Sequence, residues 1–550
     1  MSDTTTLVPA LGPKEPALLE NFRTAVDGQP LTSAERRLIV EQARTLIDDV
    51  YVHLPQKRAM YGIDASQQLR LLARRDQQGM PEAAFHRELR RIFDGLRDMH
   101  TTYIPPEPHR GRALLGFTLE RYWDDKGKPH FVVSKSRTVT YQEKIPVGAE
   151  VINWNGMPIE VAVRQNAEVE AGGNPAARFA RGLESLTTRH VALSPLPAEN
   201  WVHIEYQRPE SERRWWRFGR PAGPETVSCR AEWWVEQSPP LPPEIVGGGS
   251  ARGLGMSLRT ELTREIKTDL LRDTSLDEAV PDSAADGLDR VLKARIVPLP
   301  GGGQVGQLRI TSFYTEKVGV AGFLAEITRL LKLLPQDGLI LDVRGNGGGY
   351  IEVAEGLLQL LTDRPITPEP MQFINSPATY DLCGRSNDLT LWRPSIAESG
   401  ETGTQFSAAF PLSQLSRPAW HYPGRVVLVT DALSYSATDM LAAGFQDNTL
   451  GTVLGVDEST GAGGANVWSH GQLREIWPTG PFPPLPRGAR LTVAVRRSLR
   501  TGMQHGRLLE DFGVRRNALH QMTRCDLLDR NVDLIAYAAR LLRERNTWVS

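Results

Sequence analysis

Cysteine is scarce in this chain. Cys229, Cys383 and Cys525 are far apart and odd in number, so they offer neither a disulfide framework nor a zinc spacing, and a reducing compartment fits them best. An excess of one charge is missing as well. Sixty-four Lys+Arg face 65 Asp+Glu, a net charge of −1, which lacks the basic surplus of a nucleic-acid binder. No apolar run approaches the roughly 20 residues that span a bilayer. The first 13 residues lack the basic start and apolar stretch of a secretory leader. Lysine stops at Lys332. The expectation is a soluble, cytoplasmic protein that binds neither nucleic acid nor membrane. Its 550 residues have the length of roughly two to four domains.

Texture divides the chain into four stretches. Residues 1–110 read as an N-terminal helical region. Leu31-Thr32-Ser33-Ala34-Glu35 offers a helix cap, apolar residues recur at Leu38, Ala43 and Ile47, and a second helix is expected over 82–96. Residues 111–236 turn to short β-like runs with a helical insertion near 161–186. Asn155-Gly156 between apolar runs signals a tight turn, and the stretch around it resembles a PDZ domain. Residues 237–296 read as a connector, rich in Pro and Gly at its start and helical near 258–272. Residues 297–550 alternate strand and helix. Strands are expected at 305–310, 339–343, 426–429 and 491–495, with helices at 318–333, 351–361 and 437–445.

Two strand-to-helix turns in that last stretch can carry chemistry. Asp342-Val343-Arg344-Gly345-Asn346-Gly347-Gly348-Gly349-Tyr350 would expose backbone N–H groups at a helix start, suited to a developing oxyanion. It is neither a dinucleotide fingerprint nor a P-loop. In Ser434-Tyr435-Ser436-Ala437-Thr438-Asp439, Ser436 can be a nucleophile at a helix N-terminus, or the start of an acidic capping box ending at Asp439. Asp447, about three turns on, can share the face of Ser436.

Together these segments resemble the C-terminal processing protease family, which includes the tail-specific proteases and the tricorn core. Its Asp-x-Arg-x-Asn-x-Gly-Gly turn matches residues 342–349. Its nucleophile helix resembles Ser436-Ala437-Thr438-Asp439, and its later Gln-Asp pair matches Gln446-Asp447. The processing branch uses a lysine after the nucleophile, and this chain has none there. The tricorn-like branch uses a histidine whose signature matches Leu96-Arg97-Asp98-Met99-His100-Thr101, with Met99 where tricorn has serine. Glu510-Asp511-Phe512-Gly513-Val514 resembles its Glu-Gly-x-Gly-Val element, with Asp511 in place of the first Gly.

The resemblance implies a crotonase-like α/β core beside the helical region and the β-rich PDZ-like domain. It implies a serine endopeptidase acting on peptides or unfolded proteins, without metal or organic cofactor. Ser436 would be the nucleophile, His100 the base and Glu510 its charged support. The N–H groups of Gly348 and Ala437 would form the oxyanion hole, with Gly347, Gly349 and Asp447 in support. His470 and His505 stand as substitute bases. Two other readings remain open: an inactive peptide-binding scaffold, and a hydrolase of small esters, amides or modified peptides. Trp215-Trp216 and Trp233-Trp234 are expected to be packing anchors. Arg496, Arg497 and Arg500 would form a solvated face or capture a peptide carboxylate.

Overall fold

The computed structural model describes residues 16–25, 30–106, 111–137, 144–209, 225–236, 254–271, 287–299, 302–315, 317–412 and 417–544. Trp215 and Trp216 fall outside them. After a short strand and helix at residues 17–25, four helices follow: α1 (Ser33–Asp49), α2 (Leu54–Tyr61), α3 (Ala65–Asp76) and α4 (Glu82–Asp94). Thr32 and Glu35 close a reciprocal capping box on α1. The helix buries Ile39, Val40, Ala43, Leu46 and Ile47, a stripe at the helical period. Strand β1 (Thr102–Ile104) follows α4.

The next sheet is antiparallel. It contains β2 (Phe117–Trp123), β3 (Pro129–Ser136) and β4 (Glu150–Trp154), then helices α5 (Ile159–Ala167) and α6 (Pro175–Ser185), then β5 (Trp201–Gln207) and β6 (Thr226–Glu232). Its strand order is β6-β5-β4-β3-β2. Asn155 and Gly156 both adopt positive φ in the expected turn. The helical insertion is two helices. Trp233 lies in this domain's core and Trp234 starts an adjoining strand.

A short strand, β7 (Leu254–Met256), and helix α7 (Leu258–Leu271) lie within the stretch read as connector. Then come β8 (Leu292–Pro298), β9 (Gln304–Ile310), α8 (Val320–Leu333), β10 (Gly338–Asp342), β11 (Gly348–Tyr350), α9 (Ile351–Leu360), β12 (Arg425–Thr430), α10 (Ala437–Asp447), β13 (Gly451–Gly455), β14 (Ala465–Ser469), β15 (Arg490–Ser498) and α11 (Val532–Arg543).

Two sheets share these strands. In the first, β9, β10, β12 and β13 run parallel, with β8 antiparallel at one edge. All five residues of β10 are buried, because α8, α9 and α10 pack on one face and α11 on the other. In the second, the order β11-β7-β14-β15 continues to strands Pro370–Phe373 and Phe410–Pro411. Strand 491–495 therefore belongs to this antiparallel sheet and not to the parallel one. The N-terminal helices pack on it through Leu46, Phe85, Trp468 and Val493. Strand β1 pairs with β15, Thr102 opposite Thr492.

That topology makes the site. The glycine turn and the Ser436 loop leave the carboxyl ends of adjacent parallel strands β10 and β12, where α/β sheets gather their ligands. The β1–β15 pairing brings His100 to the same place.

Candidate active site

The Ser436 loop is held by its own backbone. Asp431 Oδ1 accepts from the N–H groups of Leu433, Ser434 and Gly345 at 3.1, 2.8 and 3.0 Å. The Ser434 hydroxyl donates to the Val343 carbonyl at 3.0 Å, and the Tyr435 N–H to the Asn346 carbonyl at 2.9 Å. The two turns are thereby tied together. Ser436 itself has φ +67° and ψ −121°, a costly conformation for a residue with a Cβ. Asp439 maintains it by accepting the Ser436 N–H at 2.7 Å, along with the N–H groups of Gly463 and Ala462 at 2.8 and 3.1 Å. Burial raises the Asp439 carboxyl to about 6 despite these bonds. The capping and nucleophile readings of this motif are therefore compatible.

His100 reaches Ser436 from 336 residues earlier, with Nε2 2.6 Å from Oγ. Its turn is built by Asp98, which accepts the His100 N–H at 2.8 Å and the Thr101 hydroxyl at 2.7 Å. The Thr492 hydroxyl donates to the His100 carbonyl at 2.7 Å. On the far side of the ring, Nδ1 lies 3.4 Å from the Tyr435 hydroxyl and 3.6 Å from Asp98 Oδ1. Burial lowers the imidazole to about 4, against the pull of Asp98. It is neutral at pH 7, the form able to accept a proton. Met99 packs with Ala171 and Tyr435, and its N–H meets the Tyr435 hydroxyl at 3.3 Å.

Behind the imidazole lies a buried ionic pocket. Lys57 Nζ stands 2.6 Å from both Glu510 Oε1 and Asp511 Oδ1. Burial works against the ammonium, but these carboxylates outweigh it and raise the Lys57 pKa. His53 Nε2 is 3.7 Å from Glu510 Oε2, and burial lowers this ring to about 3. Burial, together with Asp98 and Asp511, pushes the Glu510 carboxyl well above the usual range against the pull of Lys57. Ligand atoms of Asp98, His100 and Glu510 lie within 4.8 Å of one another. A cation could be accommodated by spacing alone, but the Lys57 ammonium already brings positive charge against Glu510.

Gly348 lies against the nucleophile, where its φ of +101° suits glycine. A Cβ there would overlap the Gly255 carbonyl and come 2.8 Å from Ser436 Cβ and 3.0 Å from Ala437 N. The Gly348 N–H, however, donates to Asn346 Oδ1 at 2.9 Å. The expectation that it is offered to an oxyanion is corrected for this state, because the neighbouring amide side chain takes it. The Gly347 carbonyl accepts from Ser257 at 2.9 Å, and Gly349 packs on Phe313. Strand β7 pairs with β11 and brings Gly255 over the site, so a Cβ on Gly255 would sit 3.0 Å from Ser436 Oγ. Ser436 has no solvent exposure.

Other candidates lie elsewhere. Asp447 ends α10, about 16 Å along the axis from Ser436, paired with Arg500 at 2.6 Å. The sequence expectation that it shares the serine's surroundings is corrected: eleven residues keep a face but not a neighbourhood. His470 is turned to Gln42 at 2.8 Å, and His505 is exposed. Arg496 is enclosed by Phe373, Trp392 and Trp468 and bonded to Asn466 at 2.7 Å. Arg497 covers Phe406 and bonds Gln372 at 2.9 Å. Neither forms a solvated face. Sequence reasoning missed Lys57, His53 and Gly255. Tyr435, Asp98 and Asp439 stood inside quoted motifs and could have been found there.

A hydroxyl on a strained strand-to-helix turn, bonded to a buried neutral imidazole, is the equipment of serine hydrolysis. Residues 304–473 match the family described as Peptidase family S41, and residues 112–227 match the PDZ domain. The chain is a serine-type peptidase. It resembles the S41 peptidases over residues 304–473 and the PDZ domain over residues 112–227. Mature CPAF is 17% identical, with 94% of this chain and 99% of that one covered at a TM-score of 0.65. Mature CPAF complexed with lactacystin gives 17%, 93%, 99% and 0.63. The photosystem II D1 C-terminal processing protease gives 14%, 92%, 97% and 0.38. No curated protein matches the sequence. Among the described residues, no helix is long and apolar enough to cross a membrane.

Proposed function

We propose that Ser436 attacks the substrate carbonyl while His100 accepts its proton, making the protein an endopeptidase of peptides and unfolded chains. The observation that carries this reading is the 2.6 Å approach of His100 Nε2 to a buried Ser436 Oγ on a strained turn. The imidazolium so formed lies beside Asp98, which favours its charge. It then returns the proton to the leaving amine, and water hydrolyses the acyl-enzyme. The Ala437 N–H, at the start of α10, is the oxyanion donor. The Gly348 N–H joins it when Asn346 yields.

An extended substrate suits this site. The edge of β11 that meets Gly255 would offer main-chain pairing to a peptide once β7 gives way, a strand-addition mode. The parallel sheet with the serine at the carboxyl end of β12 supports a crotonase-like core. The units 1–110, 111–236, 237–296 and 297–550 support a division of labour. On this reading the PDZ-like unit recruits substrate, the cytoplasm is the site of action, and no cofactor takes part.

The test is mass spectrometry of a diverse peptide library incubated with wild type and with Ser436→Ala. Internal cuts by the wild type alone are expected. Identical digests from both proteins, or no cuts by a folded wild type that also resists a fluorophosphonate, would sink the assignment.

A further inference from the structure

We propose that Lys57 is a positioning residue for the peptidase reaction, its ammonium holding the Glu510 carboxyl behind His100 and setting the charge the imidazole meets. This rests on the Ser436–His100 reading above. Three carboxyls are buried here, and they are held differently. Asp98 is engaged by its own turn through the His100 N–H and the Thr101 hydroxyl. Asp511 is grasped by one face of α2: Lys57 at 2.6 Å, Gln56 at 2.8 Å and Tyr61 at 2.9 Å. Glu510 has no hydrogen-bond donor aligned on either oxygen among the described residues. Its close charged partner is Lys57, 2.6 Å from Oε1.

The arrangement depends on a departure in this chain. Asp511 sits at φ +69°, in the position where the motif it resembles has glycine. A glycine would adopt that angle without strain. The aspartate bears the strain and gains the Lys57 contact, which also brings the ammonium to Glu510. Two acids and one cation are thus locked behind the base, with Gln56 Nε2 also donating to the Glu510 carbonyl at 3.1 Å.

The groups facing His100 are Asp98 on its own turn, Tyr435 on the serine loop, His53 at the cap of α2, Lys57 within α2, and Glu510 and Asp511 on the last loop. Of these, Asp98 raises the imidazole pKa and Lys57 lowers it. Removing the ammonium therefore moves the His100 midpoint upward. It also takes away the cation that stands 2.6 Å from Glu510 Oε1, so the carboxyl behind the base loses its anchor and kcat falls.

The experiment compares wild type, Lys57→Met, Lys57→Arg and Lys57→Met/Asp511→Gly. Peptide turnover is followed against pH, and His100 is titrated by NMR of 13C-labelled histidine. We expect Lys57→Met to raise the midpoint by about one pH unit, with kcat down tenfold or more and KM within twofold. Lys57→Arg should keep the low midpoint. The double variant deletes both ends of a buried pair, so it is the safer fold. It should retain the raised midpoint, because Glu510 and His100 still lack the cation. An unmoved midpoint in Lys57→Met, or a double variant with wild-type midpoint and kcat, would overturn the proposal. The second result would mean that Lys57 exists only to neutralise Asp511. Because the titration needs no substrate, it reads Lys57 even if Ser436 proves not to be the nucleophile.

Discussion

The two sides of His100 are built on opposite principles. In front, the Ser436 loop is a contiguous run whose polar groups are tied to backbone: Asp431, Ser434 and Asp439 take or give hydrogen bonds within a few residues or to the neighbouring turn. Behind, α2, the 98–100 turn and the 510–511 loop contribute three carboxyls, one ammonium and one further imidazole. The front fixes a geometry and the back fixes a charge. Geometry can be secured locally by hydrogen bonds of ordinary strength. A buried charge cannot, since it needs a counter-charge wherever the fold can bring one.

The largest effect should come from breaking the line between the two sides. Ser436→Ala is expected to reduce peptide turnover on the order of a millionfold, and His100→Ala comparably, with both proteins folded. The double variant should be no worse than either single one, because a base without its nucleophile has nothing to activate. Losses that multiply in the double variant would show that the two residues do not act as a unit.

A sharper test concerns the cover. Gly255 faces Ser436 Oγ with room for little beyond hydrogen. Gly255→Leu should displace β7 from β11. Fluorophosphonate labelling of Ser436 is then expected to quicken at least tenfold, with the melting temperature lowered. Slower labelling would mean that β7 completes the site instead of closing it.

The charge side makes a smaller, pH-dependent prediction. Burial holds His100 at about 4, so the neutral base persists below the ordinary imidazole range and is lost as pH falls through that value. At pH 5.5 an unperturbed histidine would leave about a tenth of the neutral base. Here labelling of Ser436 should remain close to its pH 7 rate, and a tenfold fall would show that the pocket does not set the base.

This contrast also explains what could be read from sequence. The cap at Thr32, the turn at Asn155-Gly156, the buried run of β10 and the Asp342–Gly349 and Ser436–Asp439 turns are local signals, each visible within ten residues. His100 was legible because Asp98 builds its turn from two residues away. Lys57 was not, since a lone lysine in a helix normally marks a solvated face. Only tertiary packing turns α2 inward against Asp511, 454 residues on. Gly255 was hidden in the same way, because a three-residue strand in a Gly-rich stretch has no periodicity to betray its pairing with β11.

Asp447 gives the smallest and most discriminating prediction, because it lies on the nucleophile's own helix but at the opposite end. A carboxylate at a helix C-terminus opposes the helix dipole, and here Arg500 offsets it with two bonds, at 2.6 and 3.0 Å. Asp447→Ala should therefore cost on the order of 3 kcal/mol of stability, as expected when one partner of a buried pair is removed. Melting should fall by several degrees while kcat, measured well below that transition, stays within twofold. A tenfold fall in kcat with unchanged melting would place Asp447 in the reacting network after all. It would also mean that α10 transmits charge along its length to Ser436, and the local account of the serine loop would then fail.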